Sequence, residues 1–119
     1  MSNLESSLSA LMNMTGAICA AVVDSNSGMI IGSKGNGIDM DVAAAGDTEV
    51  IRAKLRTMKD LGLQGGIEDI IVTLDSQYQI LRPIQCSRDL FLYVVFDRDG
   101  SNLALTRRKV QEVDRELVI

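Results

Sequence analysis

The stretch LFLYVVF, residues 90–96, is apolar at every position and is the strongest structural signal in the sequence. A strand that is apolar on both faces is buried on both, so other layers must cover both sides of its sheet. Asp97 to Gly100 have the composition of a turn, and Ser101 or Asn102 can cap a helix whose apolar stripe continues to Leu117. This segment therefore predicts a central strand followed by a covering helix.

The segment before the central strand predicts two more strands. Residues 69–75 (DIIVTLD) are rich in β-branched side chains, residues 75–77 have turn composition, and residues 78–84 resume the strand pattern. Pro83 has no amide hydrogen to donate, so it belongs at a strand end or on a free edge. Residues 85–89 are expected to form a short connection.

The N-terminal part of the chain predicts a short helix and a hairpin. Leucine and methionine side chains recur at helical spacing over residues 3–13, which predicts an amphipathic helix. Two apolar runs, residues 17–23 (AICAAVV) and residues 29–33, flank a turn cluster at residues 24–28. Apolar runs around a loop that contains glycine are typical of a β-hairpin.

A long helix is predicted over residues 40–61, with Asp39 or Asp41 as its cap and Gly62 after its end. One apolar stripe comprises Ala44, Thr48, Ile51, Leu55 and Met58, and a second comprises Ala43, Val50, Thr57 and Leu61. One stripe is enough to cover the sheet, so the second indicates a further contact. Gly46 costs the helix about 1 kcal/mol relative to alanine. Either a close backbone contact or chance accounts for it.

These elements follow the order α-β-β-α-β-β-β-α. With helices on both faces of an antiparallel sheet, this order predicts an α/β fold in the form of a three-layer α-β-α sandwich. The chain of 119 residues fits a single domain, which we expect to span residues 3–117. Its 46% apolar content is sufficient for a core without metal or disulfide support.

Charge and composition argue against several classes of function. The net charge is −4, and the only dense basic run, residues 107–109, is followed directly by acidic residues, which disfavours nucleic-acid binding. The longest apolar stretch, residues 16–23, is too short to span a bilayer and no targeting segment is visible, so we expect a cytoplasmic protein without membrane insertion. Cys19 and Cys86 are expected to be buried free thiols, although a disulfide between them stays open.

No motif supports catalysis or cofactor binding. GSKGNG, residues 32–37, has the glycines of a phosphate loop, but the lysine and hydroxyl residue that would reach phosphate and Mg²⁺ do not follow Gly37. Asp97, Asp99 and Asn102 lack the closing glutamate of a calcium loop. The chain has no histidine and no marked serine nucleophile. We therefore expect no enzyme activity, no cofactor and no metal.

Three stretches, taken in order, resemble the Roadblock / dynein light chain family. They are residues 16–33 (GAICAAVVDSNSGMIIGS), 67–84 (IEDIIVTLDSQYQILRPI) and 90–110 (LFLYVVFDRDGSNLALTRRKV), within a resemblance that covers residues 3–117. The chain is similar in particular to the bacterial, MglB-like Roadblock-domain proteins. The resemblance implies a profilin-like topology with sheet order 2-1-5-4-3, the long helix on one face and the terminal helices on the other.

The resemblance also implies dimers in which the third strands of two subunits pair edge to edge. The sequence supports this arrangement independently, because the third strand would otherwise expose an apolar edge. The predicted interface comprises Ile70, Val72 and Leu74 of the third strand with Ala44, Ile51 and Leu55 of the long helix.

The family likeness further implies a protein partner. Bacterial members often bind a small Ras-like GTPase and can stimulate its GTP hydrolysis without supplying a catalytic residue. We therefore expect a dimeric regulator or scaffold that contacts a GTPase through Arg52, Arg56 and Lys59, although a solvated helix face explains these side chains equally well. Two alternatives stay open: a nucleotide-independent structural adaptor of a protein complex or motor, and a small-molecule sensor, which the 3% aromatic content disfavours.

Overall fold

The computed structural model describes residues 2–119 and contains the predicted elements in the predicted order. The helices are α1 (Leu4–Met12), α2 (Met40–Asp60) and α3 (Leu103–Glu116), and the strands are β1 (Ala17–Asp24), β2 (Met29–Gly35), β3 (Ile70–Thr73), β4 (Gln77–Ile84) and β5 (Ser87–Asp97). None of the helices within the described residues is long and apolar enough to cross a lipid bilayer.

The five strands form one antiparallel sheet in the order β2-β1-β5-β4-β3. β5 lies in the middle of this sheet, where Tyr93 is opposite Ala21 of β1 on one side and Leu81 of β4 on the other. The central strand, the sheet order and the three-layer sandwich are therefore confirmed.

Two separate cores lie on the two faces of the sheet, and β5 contributes alternate side chains to each. Leu92, Val94 and Phe96 face α1 and α3, whereas Phe91, Tyr93 and Val95 belong to the core beneath α2. All six side chains are almost completely buried. This double burial is the reason why the run from 90 to 96 has no polar position.

The first turns of α2 and α3 are capped by side chains that the sequence predicts as caps. The Asp39 carboxylate accepts a hydrogen bond from the backbone amide of Val42 (3.2 Å), and the Asn102 side chain accepts one from Leu105 (3.1 Å). These bonds satisfy amides that have no partner inside the first turn of a helix. Of the two caps considered for α3, the structure uses Asn102.

The hairpin between β4 and β5 is tighter than predicted. Ile84 pairs with Ser87, so only Gln85 and Cys86 form the turn, and β5 begins before the apolar run. The expected connection over residues 85–89 is wrong, because polar residues can join a strand through backbone hydrogen bonds without leaving an apolar pattern.

β2 is longer than predicted and includes part of the glycine-rich segment. A Cβ atom at Gly32 would lie 3.0 Å from Leu4 Cδ2, and Gly35 has φ of +88°. The first glycine therefore lets α1 approach the sheet, and the second supplies a backbone conformation that other residues rarely adopt. Residues 32–35 are strand, and the loop begins only after them.

Candidate protein-docking surface

The outer edge of β3 is open. β3 pairs only with β4, from Ile70 opposite Leu81 to Thr73 opposite Tyr78, and it is the last strand of the sheet. Its sequence, IIVT, contains no charge and no proline, and the structure records no bulge in its pairing with β4. An uncharged, regular edge with free backbone donors and acceptors favours pairing with another strand.

The opposite edge of the sheet, formed by β2, differs from β3 in its regularity and its charge. The register of β2 against β1 shifts between Val22 and Val23, which leaves Ile31 outside the ladder. β2 also carries Lys34, whose ammonium lies 3.0 Å from the Glu5 carboxylate. Bulges and lysines are devices that discourage edge-to-edge pairing, so β3 is the edge suited to a partner.

A shallow apolar groove of about 480 Å³ lies beside the open edge, between α2 and β3. It is lined by Val50, Ala53, Lys54, Thr57 and Ile70. Gly46 lies on the same side of α2, two turns before Ala53, and a Cβ atom there would meet nothing within 4 Å. Val50, Thr57 and Leu61 of the second stripe are therefore exposed to solvent, whereas Ala43 packs in part against the core beneath α2.

The residues predicted for the dimer interface divide into two groups. Ile70 and Val72 are half-buried in β3, and Leu74, just after the strand, is exposed. Leu55 is 45% exposed near the end of α2. Ala44 and Ile51, by contrast, are only 1% and 3% exposed and pack in the protomer's own core, so their side chains cannot reach a partner in this conformation. The groove residues Val50, Ala53 and Thr57 were missed, although two of them belong to the second stripe.

The three predicted GTPase contacts lie on α2, away from the core. Arg52 is partly engaged within the protomer, because its guanidinium donates to the backbone oxygen of Asn26 (2.6 Å) and to Glu49 Oε1 (2.8 Å). Arg56 and Lys59 are exposed to solvent. The structure therefore brings the three cations to one helix but leaves two of them more accessible than the third.

Cys19 and Tyr93 lie in the core beneath α2, and Asp47 of α2 is half-buried near Tyr93. Burial raises the pKa of Cys19 to about 11. Burial also raises the pKa of Tyr93, as does the nearby Asp47 carboxylate. The pKa of Asp47 is raised by burial and lowered in part by a hydrogen bond from Tyr93. Each shift disfavours the ionised form, which is the opposite of what a nucleophile requires.

Outside this surface, the described part of the chain has a further groove, two cysteines and no cluster of metal ligands. A second groove, of about 550 Å³, lies between the end of α1 and the start of α3 and includes Met14, Leu105 and Lys109. Within residues 2–119, no group of three or more His, Cys, Asp or Glu side chains is placed to hold a metal ion. Both cysteines are free, and Cys86 is exposed in the β4–β5 turn, contrary to the expectation that it is buried.

The chain has the Roadblock fold. A Roadblock/LC7 domain from Streptomyces avermitilis matches it with a TM-score of 0.82 at 18% identity, over 97% of this chain and 94% of that one. Myxococcus xanthus MglB matches with a TM-score of 0.80 at 19% identity, over 96% and 93%. A structure of MglB in a tetrameric arrangement gives 0.82 at 17% identity, over 96% and 84%. No protein-family model and no curated protein matches the sequence.

Proposed function

We propose that this chain is a non-enzymatic, dimeric regulator or scaffold that binds a small Ras-like GTPase and can stimulate its GTP hydrolysis. The observation that carries the proposal is the open, uncharged edge of β3 beside the exposed stripe of α2. The similarity of its fold to the solved structures of MglB supports this choice of function.

Dimerisation through β3 would join two sheets into one. In an antiparallel continuation of the sheet, the two-fold axis is perpendicular to the sheet, so the same surface is used by both subunits. Both α2 helices then lie on the same face, side by side and antiparallel. Gly46 and Ala53 are small enough to permit a close approach of the helices, and Val50 supplies apolar area. This packing would fill the groove and cover the free edge.

The paired α2 helices would form the platform for the GTPase. Arg56 and Lys59 are exposed on α2 outside the groove, so they remain accessible after dimerisation. Cations at the rim of an interface steer an acidic partner and add specificity. Stimulation of hydrolysis would act by ordering the switch loops and catalytic groups of the GTPase, since no residue of this chain is assigned to the chemistry.

A binding and single-turnover hydrolysis experiment tests this function. The wild-type chain is expected to bind a Ras-like GTPase from the same genome with an affinity that differs between the GDP-bound and GTP-bound states. It should also accelerate the hydrolysis of GTP. The double variant Arg56→Glu/Lys59→Glu should weaken binding by about tenfold or more, because it reverses two charges at the contact.

The matched control is Arg108→Glu/Lys109→Glu on α3, which reverses two cations on the other face of the sheet. It should bind within about twofold of wild type. Binding that is equal in the GDP and GTP states would instead support the nucleotide-independent adaptor. No binding in either state would contradict the GTPase partner.

A further inference from the structure

Asp69 immediately precedes β3 and is held by arginines from two other elements. Arg107 of α3 forms a fork with it, with Nε 2.9 Å from Oδ2 and Nη2 3.3 Å from Oδ1. Arg82 of β4 brings Nη1 to 3.6 Å from Oδ2. The carboxylate at the entrance to β3 is therefore fastened to α3, which packs on the opposite face from the α2 groove.

The contacts of Arg82 extend this arrangement into the core. Its Nε donates to Asp114 Oδ2 (2.8 Å), and Asp114 Oδ1 accepts from the amide of Gln85 (2.9 Å). The side chains of Arg82, Asp69 and Asp114 are only 7%, 8% and 0% exposed. Nη1 of Arg82 has no hydrogen bond and faces Asp69. Removing one member of such a buried set leaves an uncompensated charge, so the contact is strongly maintained.

Besides these ionic contacts, the start of β3 is held by the buried side chain of Ile67, which packs in the core beneath α2. The strand has four residues and one partner strand, and the segment before it contains Gly62, Gly65 and Gly66. Glycines give this segment more backbone freedom than other residues would. The Arg88 guanidinium donates to the oxygen of Ile67 (2.8 Å), which adds one more side-chain contact to the same segment. Arginine side chains thus hold the approach to the strand.

We infer that Asp69, Arg82, Arg107 and Asp114 form a clamp that holds β3 in the position required for pairing with a second subunit. The inference rests on the proposed dimerisation through β3. These residues are positioning residues, because none of them lies in the groove or on the outer edge. The clamp also couples α3 to the dimer edge, so a partner that engages Arg107 would weaken dimerisation.

Hydrogen exchange tests the clamp, and sedimentation tests its link to the dimer. The variants are Asp69→Asn and Arg107→Gln. Arg107→Gln leaves the contact between Asp69 and Arg82 in place, so it can still be measured if Asp69→Asn does not fold. The controls are Glu68→Gln and Arg108→Gln, the sequence neighbours. The Glu68 carboxylate lies 3.6 Å from Arg107 and 3.8 Å from Arg82, but its side chain is exposed, and ion pairs of exposed side chains contribute little to stability.

Exchange is measured in a Val72→Lys background, in which the chain is expected to be monomeric. The two clamp variants should exchange the β3 amides that bond to β4 about tenfold faster or more, while β1 and β5 amides stay within about twofold of the background chain. In the otherwise wild-type chain, the same variants should raise the dimer dissociation constant about tenfold or more, and the controls should not.

Three outcomes separate this inference from the proposed function. Unchanged exchange at β3 in both clamp variants would overturn the clamp. Faster exchange with an unchanged dissociation constant would overturn its link to the dimer. A wild-type chain that is monomeric at all concentrations would overturn the proposed dimer, whereas the exchange data would still decide whether the clamp holds β3.

Discussion

At the scale of single residues, the two cysteines have opposite environments. Cys19 is fully buried and its pKa is raised to about 11, whereas Cys86 is exposed in a hairpin turn. The thiolate is the reactive form, so only the exposed thiol is expected to react quickly. Titration with an aromatic disulfide reagent should detect one fast thiol in the native chain and none in Cys86→Ser. Two fast thiols in the native chain would contradict the packing around Cys19.

Asp47 gives a prediction about pH. Because burial raises its pKa from the ordinary value of 3.8, the folded state binds the proton more tightly than the unfolded state. Its contribution to stability is therefore present below the unfolded pKa and is lost as the pH rises through the folded pKa. Asp47→Asn keeps an acceptor for Tyr93 without the charge, so the variant should be at least as stable as wild type near pH 7.

Urea denaturation at pH values between about 3 and 8 measures this difference. The advantage of Asp47→Asn should shrink at acidic pH, where the wild-type carboxyl is neutral in both the folded and the unfolded state. A stability difference that is the same at every pH would show that the pKa of Asp47 does not shift on folding, and a deficit that grows as the pH rises would show that the folded state favours the ionised carboxylate. Either result would contradict the direction given above.

At the scale of elements, Gly46 tests the contact between the α2 helices. Alanine should stabilise the helix by about 1 kcal/mol in a monomeric Val72→Lys background, because glycine is a poor helix former and a Cβ atom there meets nothing in the protomer. In the dimer, the added methyl group would separate two closely packed helices and raise the dissociation constant. Urea denaturation and sedimentation should therefore give effects of opposite sign; the same sign in both would exclude a close approach at Gly46.

The elements also differ in how far the sequence predicts them. β5 was placed correctly because double burial leaves an uninterrupted apolar run, which few other structures produce. The two stripes of α2 were visible, but helical periodicity does not say which stripe faces the sheet. Ala44 and Ile51 were therefore assigned to the interface although they belong to the core. Only the position of the sheet relative to α2 shows which stripe lies in the core and which faces solvent.

The sequence does not predict the ionic contacts of Asp69 and Asp114, because the residues that form them lie far apart along the chain. Arg107 and Asp69 are separated by 38 positions, and Arg82 and Asp114 by 32. No local pattern reports contacts at such separations. The one available signal was an arginine within the largely apolar end of β4, since a buried guanidinium requires an acidic partner. The sequence does not indicate which of the acidic residues supplies it.

At the scale of the whole molecule, dimerisation links stability to concentration. A chain whose folded state is a dimer becomes more stable as its concentration rises, because association removes folded monomer from the unfolding equilibrium.

Val72→Lys places a charge on the open edge and should abolish both the dimer and the dependence of Tm on concentration. Ile31→Lys, an exposed position on the opposite edge, is the matched control and should behave as wild type. Light scattering and thermal unfolding over a range of concentrations provide the measurement. If Val72→Lys remains dimeric, or if Ile31→Lys alone becomes monomeric, the subunits do not pair through β3.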